Sequence, residues 1–276
     1  MRNLNQFNIT QAVLKSFSNT KDERLKEIMT SLVQHLHAFA RDVKLTEGEW
    51  EKGIDFLTRT GHITNETRQE YILLSDVLGL SMLTVAMNND KPAGCTEATV
   101  FGPFHVEDAP HYELGGDVAN GAKGILCFVS GTVKGLNGEA IPNAHIEVWQ
   151  SDEDGMYDVQ HADLGHLQAR GIVNSDKDGK FNFKSILAAP YPIPHDGPVG
   201  DLLEATGRHP WRPAHLHFLI KADGYEKLIT HIFRDHDQYL DSDAVFGVRE
   251  TLIKDWVEQP DGSFKLDYDF VLNSNK

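Results

Sequence analysis

The spacing of apolar residues changes once along this 276-residue chain, near residue 100, and that change restricts the fold to helices followed by strands. Before it the spacing is helical. Leu25, Ile28, Met29, Leu32, Val33, Leu36 and Phe39 recur three and four apart and form one amphipathic face. Thr46-Glu47-Gly48-Glu49 has the form of a capping box opening a second helix, with Trp50, Ile54 and Leu57 as its expected buried side. A third helix is predicted from about residue 65 to residue 87, apolar almost all round from Tyr71 onward and therefore buried on most sides. Asp76 stands within it among Ile72, Leu73, Leu74, Val77 and Leu78, where an unpaired carboxylate is expensive. It either meets a structural partner or faces a polar pocket.

After Ala93-Gly94 the pattern is one of strands and turns. Residues 124–134 and 144–150 read as extended, with Asn137-Gly138 between them, and Asp154-Gly155 and Asp178-Gly179 are further hairpin signals. Phe181 and Phe183, then Phe264, Leu266, Tyr268 and Phe270, alternate as half-buried strands do. The expected class is α+β: an N-terminal helical segment, residues 1–100, followed by an antiparallel β-sandwich, residues 101–276.

Charge and cysteine content narrow the partners. Lys+Arg 26 against Asp+Glu 41 gives −15, which argues against nucleic acid and anionic membrane surfaces. The two cysteines, Cys95 and Cys127, form no paired framework, so free thiols in a reducing compartment are expected. The first residues lack an apolar signal core, and no stretch approaches the ~18 apolar residues of a membrane span. A cytoplasmic protein is expected.

The chemistry concentrates in Arg212-Pro213-Ala214-His215-Leu216-His217-Phe218. On a strand, His-x-His places both imidazoles on one face, roughly 6.5 Å apart along the backbone, with Leu216 and Phe218 on the other. Tyr157 and Tyr191 add two phenols, and Tyr191 lies in a long Pro- and Gly-rich passage, residues 187–212, of the kind that is usually functional. A phenol titrates near 10, so only a strongly polarising cation holds it as phenolate at neutral pH. Ferric iron fits better than zinc. Taken singly, each of these residues has a bland structural reading. Residue chemistry also leaves open a zinc site of His215 and His217 with His231 or an acidic residue, and a ferrous site completed by Asp235 or Asp237.

Two longer signatures go further. Residues 143–157 (NAHIEVWQSDEDGMY) and 207–218 (GRHPWRPAHLHF), with Tyr191 between them, resemble the intradiol ring-cleaving dioxygenases, and the resemblance extends over nearly the whole chain. It implies a catechol-type substrate, O2 and Fe(III), with Tyr157, Tyr191, His215 and His217 as iron ligands. It further implies that Tyr191 leaves the metal to act as base, that Arg212 is the cation beside the substrate, and that the N-terminal helices form a homodimer interface holding a lipid. His231 is expected either to move a proton or to orient Arg212. Pro190-Tyr191-Pro192-Ile193-Pro194, Val100-Phe101-Gly102-Pro103-Phe104 and Ser242-Asp243-Ala244-Val245-Phe246-Gly247 resemble the hydroxyquinol branch of that family, which assigns Leu73, Asp76, Val100, Ile193 and Val245 to the pocket wall. The competing readings are a catechol or chlorocatechol branch. A metal-free, transthyretin-like binding module shares the texture of residues 131–149.

Overall fold

The computed structural model describes residues 2–66, 68–161 and 163–275. The chain forms two compact units, Met1–Arg59 and Thr60–Lys276, so the compact boundary lies earlier than the change in periodicity.

The first unit is helical: α1 (Ile9–Ser16), α2 (Glu23–Asp42) and most of α3 (Glu47–Ile63). The Asp22 carboxylate accepts from the Leu25 N–H at 3.0 Å and caps α2. The expected capping box opens α3, with Thr46 N donating to Glu49 Oε2 at 2.9 Å and Glu49 N to Thr46 Oγ1 at 3.3 Å. The apolar stripes have the predicted period, but Trp50, Ile54 and Leu57 are exposed rather than buried, and so are Leu25, Ile28, Leu32, Leu36 and Phe39. Among the described residues these side chains are about half covered.

In the second unit the expected third helix is two helices, α4 (Glu70–Val77) and α5 (Leu80–Asn88), bent by 77°. Gly79 makes the break with φ +75, a left-handed conformation that side chains resist. The bend leaves each helix covered on one side only. Leu73, Asp76, Val77 and Met82 are buried, whereas Tyr71, Ile72, Leu78, Leu80, Leu83 and Met87 are exposed. Among the described residues no single helix is long and apolar enough to cross a membrane.

The strands follow as β1 (Leu126–Gly135), β2 (His145–Trp149), β3 (Arg170–Asn174), β4 (Lys180–Ile186), β5 (Tyr191–Pro192), β6 (Trp211–Arg212), β7 (His215–Lys221), β8 (Leu228–Arg234), β9 (Ile253–Lys254), β10 (Val257–Glu258), β11 (Phe264–Asp267) and β12 (Phe270–Leu272), with α6 (Pro198–Ala205) between β5 and β6. One sheet runs β10-β11-β1-β12 with β4 also on β1, and the other runs β3-β2-β7-β8-β9. They enclose a core in which Val129, Val133, Phe181, Phe183 and Phe270 meet Ile146, Val148, Leu216, Phe218 and Ile220.

The sheets are mixed rather than purely antiparallel: β1 pairs in parallel with β11 and β12, and β8 with β9. A parallel pair needs a long crossover, and the chain supplies one by building the whole second sheet before it returns to β1. Gly131 marks the return. A Cβ there would stand 1.8 Å from the Tyr268 carbonyl oxygen, at the point where β1 passes from pairing with β11 to pairing with β12.

Candidate active site

Strand register assembles the site. Trp149, His217 and His231 lie directly opposite one another on β2, β7 and β8. The Trp149 ring stacks on His217 at 4.7 Å and 17°, and the imidazoles of His217 and His231 meet edge to face. Because side chains alternate along β7, Leu216, Phe218 and Ile220 fill the sandwich core while His215 and His217 emerge on the opposite face. All are 2% exposed or less.

The short β5–β6 ribbon brings in the other half. Tyr191 pairs directly with Arg212, and the Arg212 Nη1 donates to Tyr191 Oη at 3.4 Å and reaches His215 Nε2 at 3.2 Å. Tyr157 arrives from the loop after β2, its ring stacked on Phe104 at 4.3 Å and its Oη 2.9 Å from His217 Nε2. The buried Arg170–Asp158 pair steadies that loop, and Arg170 Nη1 also donates to the Phe104 carbonyl at 2.9 Å. The two Nε2 atoms of His215 and His217 are 3.2 Å apart.

Partners fix the roles of the ring nitrogens. His215 Nδ1 lies 2.7 Å from the Pro213 carbonyl, which can only accept, so the proton sits on Nδ1 and Nε2 carries the lone pair, which faces Arg212 Nη1. Burial, reinforced by the charge of Arg212, lowers the His215 pKa to about 3, and burial holds His217 and His231 well below the ordinary range. Neutral imidazoles are the form that binds a metal ion. Burial, then the neighbouring Tyr191, pushes the Tyr157 phenol up, so it becomes a phenolate at neutral pH only when a strongly polarising cation stabilises the oxygen.

Asp243 governs Arg212. Its carboxylate takes the Arg212 Nε at 3.0 Å and Nη2 at 3.3 Å, and is itself held by the Gly247 N–H at 2.8 Å. Burial opposes both charges, but their pairing keeps Asp243 ionised and Arg212 protonated. Asp76, buried on α4, feels both: burial raises its pKa, while Ser81 and Arg212 oppose the rise.

Four of the five wall residues expected from sequence share one cluster, and Asp76 is buried on α4 outside it. Leu73, Val100, Ile193 and Val245 belong to one buried apolar cluster with Tyr157, Tyr191, Trp149 and Phe104. A cavity of about 440 Å³ opens beside it, lined by Leu73, Phe104, Met156, Ile193 and Arg68 among others. The alternative metal ligands divide. His215, His217 and His231 offer nitrogens within 4.8 Å of one another, the one such group of three or more among the described residues. His231 nevertheless approaches His217 Nδ1, at 2.8 Å, on the opposite side of the ring from Tyr157 and His215. Asp237 instead accepts from the Ala214 N–H, and Asp235 lies beside the exposed His236. The hydrogen bonds of Arg212 go to Asp243, Tyr191 and His215.

Residues 100–274 match the family model described as Dioxygenase, and residues 22–96 match Catechol dioxygenase N terminus. The chain belongs to the intradiol ring-cleaving dioxygenases. It is 63% identical to the 6-chlorohydroxyquinol 1,2-dioxygenase of Cupriavidus pinatubonensis, over 99% of each chain. It is 55% identical to the hydroxyquinol 1,2-dioxygenase of Nocardioides simplex, over 92% of this chain and 87% of that one. Its fold superposes on the crystal structure of hydroxyquinol 1,2-dioxygenase from Pseudomonas putida with a TM-score of 0.92 at 43% identity, covering 98% and 99% of the two chains. The metal-free binding module is excluded by this membership.

Sequence reasoning about this intradiol dioxygenase missed Thr99, Asp243 and Trp149. Trp149 and Asp243 lay inside segments that carried the resemblance, but their contacts depend on strand register and on a turn. Thr99 carried no signal.

Proposed function

We propose that the protein is a non-haem Fe(III) enzyme that cleaves hydroxyquinol (benzene-1,2,4-triol) between its two adjacent oxygenated carbons, with Tyr157, Tyr191, His215 and His217 holding the iron. One observation carries this reading: two phenol oxygens and two Nε2 atoms gather at one buried place, linked by contacts of 2.9, 3.2, 3.2 and 3.4 Å through Arg212. Two neutral imidazoles and two phenols suit a hard, highly charged cation. Bound there, ferric iron would supply Lewis acidity and make the ring reactive towards dioxygen; both oxygen atoms would enter the product, 3-hydroxy-cis,cis-muconate, which tautomerises to maleylacetate.

The chain's own residues do the rest. Tyr191 Oη, in the phenolate form that a bound cation would stabilise, takes a proton from an incoming ring hydroxyl and becomes a neutral phenol. Arg212, kept charged by Asp243, stabilises negative charge that develops on the substrate. Leu73, Val100, Ile193 and Val245 confine the ring and exclude water. Asp76 accepts a hydrogen bond from the third hydroxyl, which gives a buried carboxylate on an apolar helix a purpose. His231 serves the site from behind His217.

Relatives named for hydroxyquinol and its 6-chloro derivative support the triol over catechol. The protein as purified is expected to be wine-red, with about one iron per chain from the four-ligand argument, and to cleave hydroxyquinol with roughly tenfold or greater kcat/KM than catechol. Asp76→Ala narrows that gap by harming the triol. A colourless, active zinc preparation overturns the iron, a preference for catechol or chlorocatechol overturns the substrate, and an extradiol semialdehyde product overturns the site. The same reading makes the protein a cytoplasmic homodimer joined through the helices of residues 1–90, with a lipid between them. The exposed apolar residues of α2 and α3 support that assembly, and light scattering tests it.

A further inference from the structure

His231 and Thr99 are fully buried, at 0% and 2% exposure, and the hydrogen bonds of His231 run to Thr99 and to the far nitrogen of His217 rather than to Tyr157 or Tyr191. They form a chain that ends on the back of His217. Thr99 Oγ1 lies 2.9 Å from His231 Nδ1, and His231 Nε2 lies 2.8 Å from His217 Nδ1. The chain is held by the sheet: His231 sits directly opposite His217 on β8, and the Thr99 N–H donates to the Ile229 carbonyl at 3.0 Å.

A neutral imidazole carries one proton, so each link dictates the next. For His217 to present an Nε2 lone pair towards Tyr157 and His215, its proton must be on Nδ1. That proton points at His231 Nε2, which must then accept. The His231 proton is therefore on Nδ1 and is donated to Thr99 Oγ1, a hydroxyl oxygen able to accept. The reversed arrangement places protons on both Nε2 atoms, with Thr99 donating to His231, and leaves no lone pair on the front of His217. The two states hold the same number of protons. We propose that Thr99 and His231 are positioning residues that select the metal-binding tautomer of His217, and that this chain raises the affinity of the site for its cation without any histidine gaining or losing a proton. The inference rests on the reading of His217 as an iron ligand.

The test uses the full-length protein with three substitutions: His231→Leu, which removes the acceptor; His231→Gln, whose side-chain carbonyl can still accept from His217 Nδ1; and Thr99→Val, which keeps the shape and loses the hydroxyl. Iron affinity is measured by competition with a chelator, the visible absorption band is recorded, and the unfolding midpoint of each metal-free variant is determined. His231→Leu is expected to weaken iron binding by about 10- to 100-fold, the usual cost of losing the partner of a metal-bound imidazole, and to shift the band. Thr99→Val is expected to move both in the same direction by a smaller factor, and His231→Gln to stay near wild type. A His231→Leu or Thr99→Val protein that folds normally and binds iron as tightly as wild type overturns the proposal. So does a His231→Gln protein that loses iron as fully as His231→Leu, since His231 would then be a ligand itself. A wild-type protein that binds no iron overturns the ligand reading instead, and the two failures are distinct.

Discussion

The two faces of β7 are equally dry and are built on opposite principles. On one, Leu216, Phe218 and Ile220 meet Phe181, Phe183 and Phe270 in a non-directional contact whose strength follows the area removed from water. On the other, His215 and His217 lie among Tyr157, Arg212, Trp149 and His231, where each nitrogen has one useful direction. Burial stabilises the first face and penalises every charge on the second. The sandwich core therefore supports the site, whose polar groups depend on partners for what the core gains from burial alone.

That contrast breaks most clearly at two adjacent residues. His217→Ala is expected to abolish iron binding and ring cleavage while the protein still folds, measured by metal analysis and substrate turnover. Phe218→Ala, one residue on, is expected to cost about 3–5 kcal/mol of stability by opening a cavity in the core, with iron per folded molecule unchanged. If Phe218→Ala removes iron at normal stability, or His217→Ala unfolds the chain, the division between the faces fails.

Arg212 sharpens the comparison, because its role needs its shape as well as its charge. Arg212→Lys keeps the charge but cannot span both Asp243 oxygens and still reach Tyr191. Turnover of hydroxyquinol is expected to fall roughly 10²- to 10³-fold, as when a preorganised donor is lost, with a smaller change in KM and an intact fold. Steady-state kinetics with a thermal melt decides it.

The smallest effect is expected beyond Trp149, on the same sheet face, where charge is welcomed. Glu147 receives hydrogen bonds from Lys221 Nζ at 2.9 Å and contacts His105 and His145 at 2.6 and 2.9 Å. Burial pushes its carboxyl up, but those partners outweigh burial and hold the pKa down to about 2. An ordinary glutamate titrates at about 4.3, so Glu147 stabilises the fold above that pH, and the contribution fades as pH falls from there through about 2. Glu147→Gln is expected to flatten the decline of the urea midpoint between pH 5 and pH 3. An unchanged decline would show that the cluster contributes nothing to acid stability.

Much of this was legible in the chain. The change of periodicity gave the order of helices and strands, because period is a local property of sequence. The capping box at Thr46 and Glu49 was readable for the same reason. His215, His217 and Arg212 stood in one short segment, and Tyr157 and Tyr191 in recognisable surroundings. The break at Gly79 was not seen, since an apolar run looks alike whether straight or bent, and the parallel pairing of β1 depends on contacts across most of the chain.

By itself the sequence determined which face of each strand would be apolar and which residues could carry the chemistry, because side-chain alternation and residue type are local. Only the tertiary structure decided how those residues meet. It set His231 behind His217 rather than beside Arg212, gave Arg212 to Asp243, and put Thr99 at the end of the imidazole chain. Hydrogen bonds of about 3 Å have direction, and direction is fixed by strand register and turn geometry, which arise only when distant segments pack.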